Sequence, residues 1–176
     1  EGIAFFSHKY PAMRYLAYFQ AYTNTYDSLE NLKTRYEDAL AVEGCVGIVI
    51  GTRPDCMPDE LLDYLVELQK RTFVLVEYGI ESTSDRTLLR INRGHDYACA
   101  VDAVERTAAR GIPVGAHIIL GLPGEDREEL MQQAEILSKL PLTTLKLHQL
   151  QLIRGTRMAE EYIEDPSEFS LFTVED

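Results

Sequence analysis

Arginines, glycines and acids cluster just after apolar runs of this sequence, as in Gly-Thr-Arg-Pro-Asp at residues 51–55. Arg53 in that segment and Arg93 further along each carry a planar guanidinium group. Such a group can grip a carboxylate or a phosphate through two parallel hydrogen bonds. Asp55 is placed to orient Arg53. The simpler alternative for this motif is a strand-to-helix turn that holds only a local ion pair.

A second cluster, Tyr-Gly-Ile-Glu-Ser at residues 78–82, combines a glycine with an acid. Gly79 allows a ligand to approach the backbone closely. Glu81 can accept hydrogen bonds from a diol, and a solvated loop carboxylate is an equally good interpretation of it.

The third cluster is His-Ile-Ile-Leu-Gly-Leu-Pro-Gly-Glu at residues 117–125. The backbone N–H and C=O groups at Ile119 can read the edge of a purine, and the neighbouring apolar side chains can cover its face. Gly121 leaves room for such a ligand, while Pro123 holds the turn in place. The alternative is an ordinary loop between a strand and a helix.

Histidines and cysteines complete the set of reactive side chains. His117 and His148 are predicted on neighbouring strands, where they act either as acid–base groups or as hydrogen-bonded interior residues. Cys45, Cys56 and Cys99 do not stand at metal-ligand spacing, and an odd count does not suggest a disulfide framework. A reducing, cytoplasmic setting is the simplest expectation.

Five strands with helices between them must position these residues. Residues 15–20, 46–50, 73–78, 113–120 and 144–150 are rich in β-branched and aromatic side chains, which is typical of strands. The helical patterns between them carry capping residues, with Asp27 and Glu30 as one expected capping box and Asp126 and Glu129 as another. This alternation predicts a parallel α/β sheet, either a curved partial barrel or an open doubly wound sheet. In both architectures ligands bind at the carboxyl ends of the strands.

The overall composition fits one globular domain over residues 1–176. Hydrophobic residues make up 45% of the sequence, and no apolar run approaches the ~20 residues of a membrane span. The net charge of -12 argues against a broad nucleic-acid-binding face. Because the sequence begins with Glu1 rather than Met, we expect it to be a piece of a longer protein.

Five motifs in order resemble one known family: Ala-Tyr-Phe-Gln at 17–20, Gly-Thr-Arg-Pro-Asp at 51–55, Tyr-Gly-Ile-Glu-Ser at 78–82, Gly-Leu-Pro-Gly-Glu at 121–125 and Ile-Arg-Gly-Thr at 153–156. Together they resemble the radical S-adenosylmethionine (radical SAM) superfamily. The similarity is greatest to its Fe-S oxidoreductase branch, which is related to the catalytic subunit of elongator and to oxygen-independent coproporphyrinogen oxidase. The resemblance implies a partial (β/α)6 barrel, TIM-like with parallel strands, of which this chain supplies the second to sixth strands.

The resemblance also implies which residues bind S-adenosylmethionine. Ile119 would offer its backbone to the adenine, with Gly121 and Pro123 closing that end. Glu81 stands where the family places a contact to the ribose, and Arg93 where related enzymes pair with the methionine carboxylate. Arg53 lies at the third strand end, and His117 stands where some relatives carry aspartate.

The family's cysteine motif, which holds a [4Fe–4S] cluster through three thiolates, is absent from this sequence. We expect it upstream of Glu1, so that the chain alone would be inactive. The resemblance implies an electron donor such as flavodoxin or ferredoxin and a radical that abstracts hydrogen from an unknown small-molecule or macromolecular substrate. No membrane partner is expected, and an exposed apolar edge would favour self-association of the piece.

Two other functions fit the residues without the resemblance. One is a partial-barrel lyase or hydrolase of a phosphorylated metabolite, in which Arg53 and Arg93 grip the phosphate and His117 or His148 is the base. The other is a non-catalytic binding domain.

Overall fold

Five strands form the sheet of the computed structural model, which describes Phe5 and residues 13–172. Their bounds are β1 (Tyr15–Phe19), β2 (Cys45–Thr52), β3 (Phe73–Glu81), β4 (Val114–Leu120) and β5 (Thr144–Gln149). All five were predicted from the sequence. The second and third continue beyond the predicted ends, so that they carry Thr52 and Glu81 at their carboxyl ends.

Six helices belong to the same part of the chain. They are α1 (Leu29–Leu40), α2 (Asp59–Gln69), α3 (Asp85–Arg90), α4 (Tyr97–Ala109), α5 (Arg127–Leu137) and α6 (Arg157–Glu164), with single 3-10 turns at Pro54–Cys56 and Pro166–Glu168. Every helix in residues 13–172 is too short or too polar to span a bilayer.

The strand order decides between the two predicted architectures. The strands lie side by side in chain order, β1-β2-β3-β4-β5, and every neighbouring pair is parallel. A doubly wound sheet requires a point at which the order reverses, and this order has none. The described chain is therefore a curled half-barrel with helices between its strands.

One face of the sheet carries the hydrophobic core. Alternate residues of the middle strands, such as Ile50, Val76 and Ala116, are buried against helix residues that include Leu32 and Leu65. Because successive side chains of a strand point to opposite faces, residues such as Val49 and Glu77 lie on the concave face. The helices of the described residues pack against this core face, which is the convex one.

The two edge strands meet across the concave face. The Nζ atom of Lys146 on β5 donates to the hydroxyl oxygen of Tyr18 on β1 at 2.8 Å and lies 4.3 Å from the centre of the Tyr18 ring. These strands are separated by three others, so a flat sheet could not bring the two side chains together. The contact thus measures how strongly the sheet curls.

The helix caps agree with the sequence except at α1. Asp126 and Glu129 form the predicted capping box of α5, and Asp96 caps α4. The predicted Asp27 cap of α1 is wrong, because Ser28 accepts the hydrogen bond from the Asn31 amide. Asp27 instead accepts from the Ser28 amide and from the Asn31 side chain.

Candidate binding site in the half-barrel

A cavity of about 400 Å³ opens on the concave face at the carboxyl ends of the strands. Four of the residues predicted from the sequence line it together: Arg53, Glu81, Arg93 and His117. The loop after β1 adds Gln20, Tyr22 and Thr23. Its volume falls within the range of small-molecule sites, which is about 300–1,000 Å³.

Glu81 and Arg93 form an ion pair in this cavity. The Nη2 atom of Arg93 lies 3.2 Å from Oε1 of Glu81, and it donates to the carbonyl oxygen of Gly79 at 2.9 Å. Burial raises the pKa of the Glu81 carboxyl despite the nearby arginine, and burial lowers the pKa of Arg93. The Nε atom of Arg93 is buried and has no hydrogen-bond partner in the described part of the chain. The pair therefore retains an unsatisfied donor at the cavity.

The backbone of β3 is shaped around this pair. The ladder between β3 and β4 shifts register between Gly79 and Glu81, and Glu81 itself has φ 68°, in the left-handed region. Non-glycine residues seldom adopt this conformation, and it often marks a functional constraint. A Cβ atom on Gly79 would lie 2.5 Å from both Arg93 Nη2 and Glu81 Oε1. Gly79 is required here because the pair closes directly over its backbone.

Arg53 is oriented as the sequence suggested. It donates from Nε to Asp55 Oδ1 at 2.9 Å and from Nη2 to Asp55 Oδ2 at 2.7 Å. This bidentate pair lowers the pKa of Asp55. Nη2 also packs closely over Gly94, whose Cβ position would be 2.9 Å away. Arg53 is thereby fixed at the rim, with its Nε and Nη2 donors already used by Asp55.

A second charged group lies deeper on the concave face. Oε2 of Glu77 accepts from Nζ of Lys146 at 2.8 Å and lies 3.1 Å from Nε2 of His117. Burial alone would raise the pKa of Glu77, but hydrogen bonds from Lys146, Tyr18 and His117 outweigh it and lower that pKa. Sequence reasoning missed both Glu77 and Lys146. The available signal was a lone acid in the apolar run Phe-Val-Leu-Val-Glu-Tyr and the alternation of polar residues along β5.

The remaining predicted residues lie along the end of β4 and the loop that follows it, and the cavity lining does not include them. Ile119 is half-buried and pairs in register with His148 on β5. Gly121 has φ 86°, and its Cβ position would be 3.0 Å from the carbonyl oxygen of Ser170. Pro123 is buried in the same loop.

A buried carboxylate ties that loop to the end of β3. Glu125 is 1% exposed and accepts from the Ser82 hydroxyl at 2.5 Å and from Nε2 of Gln133 at 2.9 Å. Gln133 in turn accepts from the Thr83 amide at 3.0 Å. The two loops that follow β3 and β4 are therefore held in one hydrogen-bonded network.

The described residues provide no ligand set for a metal cluster. Within the described residues no group of three or more His, Cys, Asp or Glu side chains could hold a metal ion. Cys45, Cys56 and Cys99 are free and half-buried. Burial raises the thiol pKa of Cys56 and Cys99, which disfavours the thiolate form that metals need.

Comparison with known protein families shows to which family the chain belongs. The sequence pattern of the radical SAM superfamily matches residues 8–137, well over half of its length. The chain belongs to the radical SAM superfamily. The resemblance seen in the sequence is thus confirmed.

Known relatives and solved structures agree with this membership. The uncharacterised protein YtqA of Bacillus subtilis is 46% identical over 156 residues, which cover 89% of this chain and 48% of YtqA. Elp3 of the archaeon Methanocaldococcus infernus superposes with a TM-score of 0.66 at 20% identity, over 85% of this chain and 39% of Elp3. Coproporphyrinogen III oxidase (HemN) of Escherichia coli, described as a radical SAM enzyme, gives 0.65 at 18% identity, over 84% and 34%.

These coverages limit what the likeness shows. The chain spans about half the length of the curated relative described above. At 20% and 18% identity, the two solved structures show a shared fold and nothing further about substrates.

Proposed function

We propose that the intact protein is a radical SAM enzyme and that this radical SAM chain forms the S-adenosylmethionine-binding wall of its barrel. The observation that carries the proposal is the Glu81–Arg93 pair, which closes over Gly79 at the strand ends of a half-barrel of this superfamily. When bound, a [4Fe–4S] cluster and S-adenosylmethionine would supply a 5'-deoxyadenosyl radical that abstracts hydrogen from the substrate.

The residues present suit S-adenosylmethionine. A carboxylate that accepts hydrogen bonds fits a ribose diol, and the unsatisfied Nε donor of Arg93 fits the methionine carboxylate. The backbone of Ile119 is proposed to meet the adenine, with Gly121 and Pro123 shaping that end, and Arg53 and His117 line the cavity between. The described residues do not suit the cluster, which we assign to other parts of the protein.

Three related assignments belong to the same proposal. The five strands are the second to sixth of the family barrel, in one domain. An electron carrier such as flavodoxin or ferredoxin supplies the reducing electron. The free cysteines fit a cytoplasmic protein.

The phosphate-binding alternative is not favoured. It needs two guanidinium groups free to bind one phosphate together, yet Nε and Nη2 of Arg53 are already used by Asp55.

Anaerobic reconstitution of the intact protein tests the proposal. We expect an absorption band at about 400 nm from thiolate–iron bonds. We also expect release of 5'-deoxyadenosine and methionine once a reductant is added. A control variant carries Glu43→Gln, an exposed acid that lies outside the cavity lining. A protein that binds the cluster but leaves S-adenosylmethionine intact would contradict the proposal.

A further inference from the structure

The arrangement of His117, Glu77 and Lys146 on the concave face determines which atoms are free to meet a substrate. Glu77 is 4% exposed, and its Oε2 atom faces both His117 Nε2, at 3.1 Å, and Lys146 Nζ, at 2.8 Å. An ionised carboxylate only accepts hydrogen bonds, so the Nε2 atom of His117 must carry the hydrogen. In the neutral imidazole the lone pair then lies on Nδ1.

One hydrogen-bond acceptor and one donor of this cluster have no partner among the described residues. His117 lines the cavity, and across residues 13–172 no hydrogen bond to its Nδ1 atom is found. Lys146 has three N–H donors and uses two of them, on Tyr18 and Glu77, which leaves one. Oε2 of Glu77 thus binds Nε2 of the imidazole and Nζ of Lys146, while the unprotonated Nδ1 on the other side of the ring is left free on the wall of the half-barrel.

We propose that His117, oriented by Glu77, binds a hydroxyl group of the substrate and accepts its proton. The substrate O–H donates to Nδ1 of His117. The O–H bond breaks as an N–H bond forms on Nδ1, and no oxidation or reduction takes place. Glu77 stabilises the resulting imidazolium, and the positive charge of Lys146 on the same face stabilises the alkoxide without contacting it.

The inference extends the proposed function and rests on it in one respect, namely that the concave face is where the substrate lies. Removal of a hydrogen atom from carbon needs no base. A carboxylate-oriented imidazole in this position therefore selects a substrate that carries a hydroxyl group.

The surroundings keep the His117 imidazole in its neutral form, which can accept a proton. Burial lowers the pKa of His117, and the hydrogen bond to Glu77 only partly opposes that effect. Lys146 and His148 lower it further. Among the described residues, the titratable or charged groups on this face and at its rim are Tyr18, Tyr22, Arg53, Asp55, Glu77, Glu81, Arg93, Lys146 and His148.

Nitrogen-15 NMR of histidine-labelled intact protein, reconstituted and kept oxidised, tests the geometry. The 176-residue sequence contains four histidines, and a His117→Asn variant identifies the His117 resonance in the intact protein. We expect a neutral His117 protonated on Nε2 at pH 7. Glu77→Gln should lower its pKa and Lys146→Met should raise it, whereas Glu43→Gln should change neither. Protonation on Nδ1 in the wild-type protein would overturn the inference even if a variant failed to fold.

A pair of small probes tests hydroxyl binding. Trifluoroethanol at low concentration should shift the His117 nitrogen resonances, and trifluoroethyl methyl ether, which lacks the O–H group, should not. Equal shifts from both probes, or none from the alcohol, would overturn the inference. These measurements do not involve S-adenosylmethionine cleavage, so their failure and a failure of the proposed function are distinguishable.

Discussion

Glycine at position 79 is the smallest feature on which the site depends. Its missing side chain leaves the space that the head groups of Arg93 and Glu81 occupy. Both of these groups are the ends of flexible side chains, so an added methyl group would displace them rather than the backbone. The pair would separate without the loss of either residue.

Gly79→Ala should therefore weaken binding of S-adenosylmethionine while leaving the fold intact. We expect the dissociation constant to rise about tenfold, equivalent to ~1.4 kcal/mol, in anaerobic titration calorimetry of the intact protein. Gly111→Ala is the matched control, because Gly111 has φ 75° and open space around its Cβ position. That variant should lose about 1 kcal/mol of stability from backbone strain with unchanged affinity. The same loss of affinity in both variants would contradict this role of Gly79.

Glu77 makes the free energy of unfolding depend on pH in the acidic range. Its pKa in the folded protein lies below the unfolded value of 4.5, so the carboxylate contributes stability above that pH. The contribution is lost as pH falls through the lower, folded pKa. Glu77→Gln should cost about 2 kcal/mol at pH 7, since Lys146 loses its charged hydrogen-bond acceptor. Urea unfolding from pH 7 to pH 3 should show the wild-type and variant curves converging in acid, and curves that stay parallel would exclude this linkage.

At the scale of elements, the loops after β3 and β4 are tied by Glu125. This carboxylate bridges Ser82, which follows Glu81, and Gln133 on α5. The network lies behind the cavity rather than in it, so Glu125 positions other residues instead of touching the ligand. It links the strand end that carries Glu81 with the loop that contains Gly121.

Glu125→Ala should loosen both loops together. We expect a loss of about 2 kcal/mol, because the Ser82 and Gln133 groups are left buried and unpaired. Hydrogen exchange followed by mass spectrometry should show faster exchange at residues 82–84 and 121–126, with β1 and β2 unchanged. Glu128→Ala, at an exposed position of α5, is the control. Uniformly faster exchange over the whole sheet would instead indicate a general loss of stability.

The strands and helices show how much of the fold can be predicted from the sequence alone. Strand and helix periodicity located all five strands, because burial against helices imposes a pattern of apolar residues. Strand order was not predictable, since βα units of one length suit both a barrel and a doubly wound sheet. The pairing of Glu77 with Lys146 joins residues 69 apart in sequence, so only the curled sheet of the structure reveals it. Ser28 and Asp27 are both good capping residues, and local sequence could not choose between them.

At the scale of the whole molecule, the convex face of β5 is only partly covered. Leu145 and Leu147 point away from the concave face and are 46% and 60% exposed. They border an apolar groove of about 270 Å³ that also involves Leu130, Met131 and Phe172. β5 is an edge of the sheet as well, and exposed edges with apolar neighbours tend to pair with other chains.

We expect this 176-residue chain to self-associate through that groove. Leu147→Lys should raise the dissociation constant of the association at least about tenfold, because burial of one leucine stabilises a contact by roughly 1.5–3 kcal/mol. Leu89→Lys is the control, since Leu89 on α3 is 83% exposed and lies outside the groove. Sedimentation equilibrium over a range of concentrations measures both variants beside the unchanged chain. A chain that stays monomeric throughout, or a Leu89 variant that dissociates to the same extent, would show that this face does not drive association.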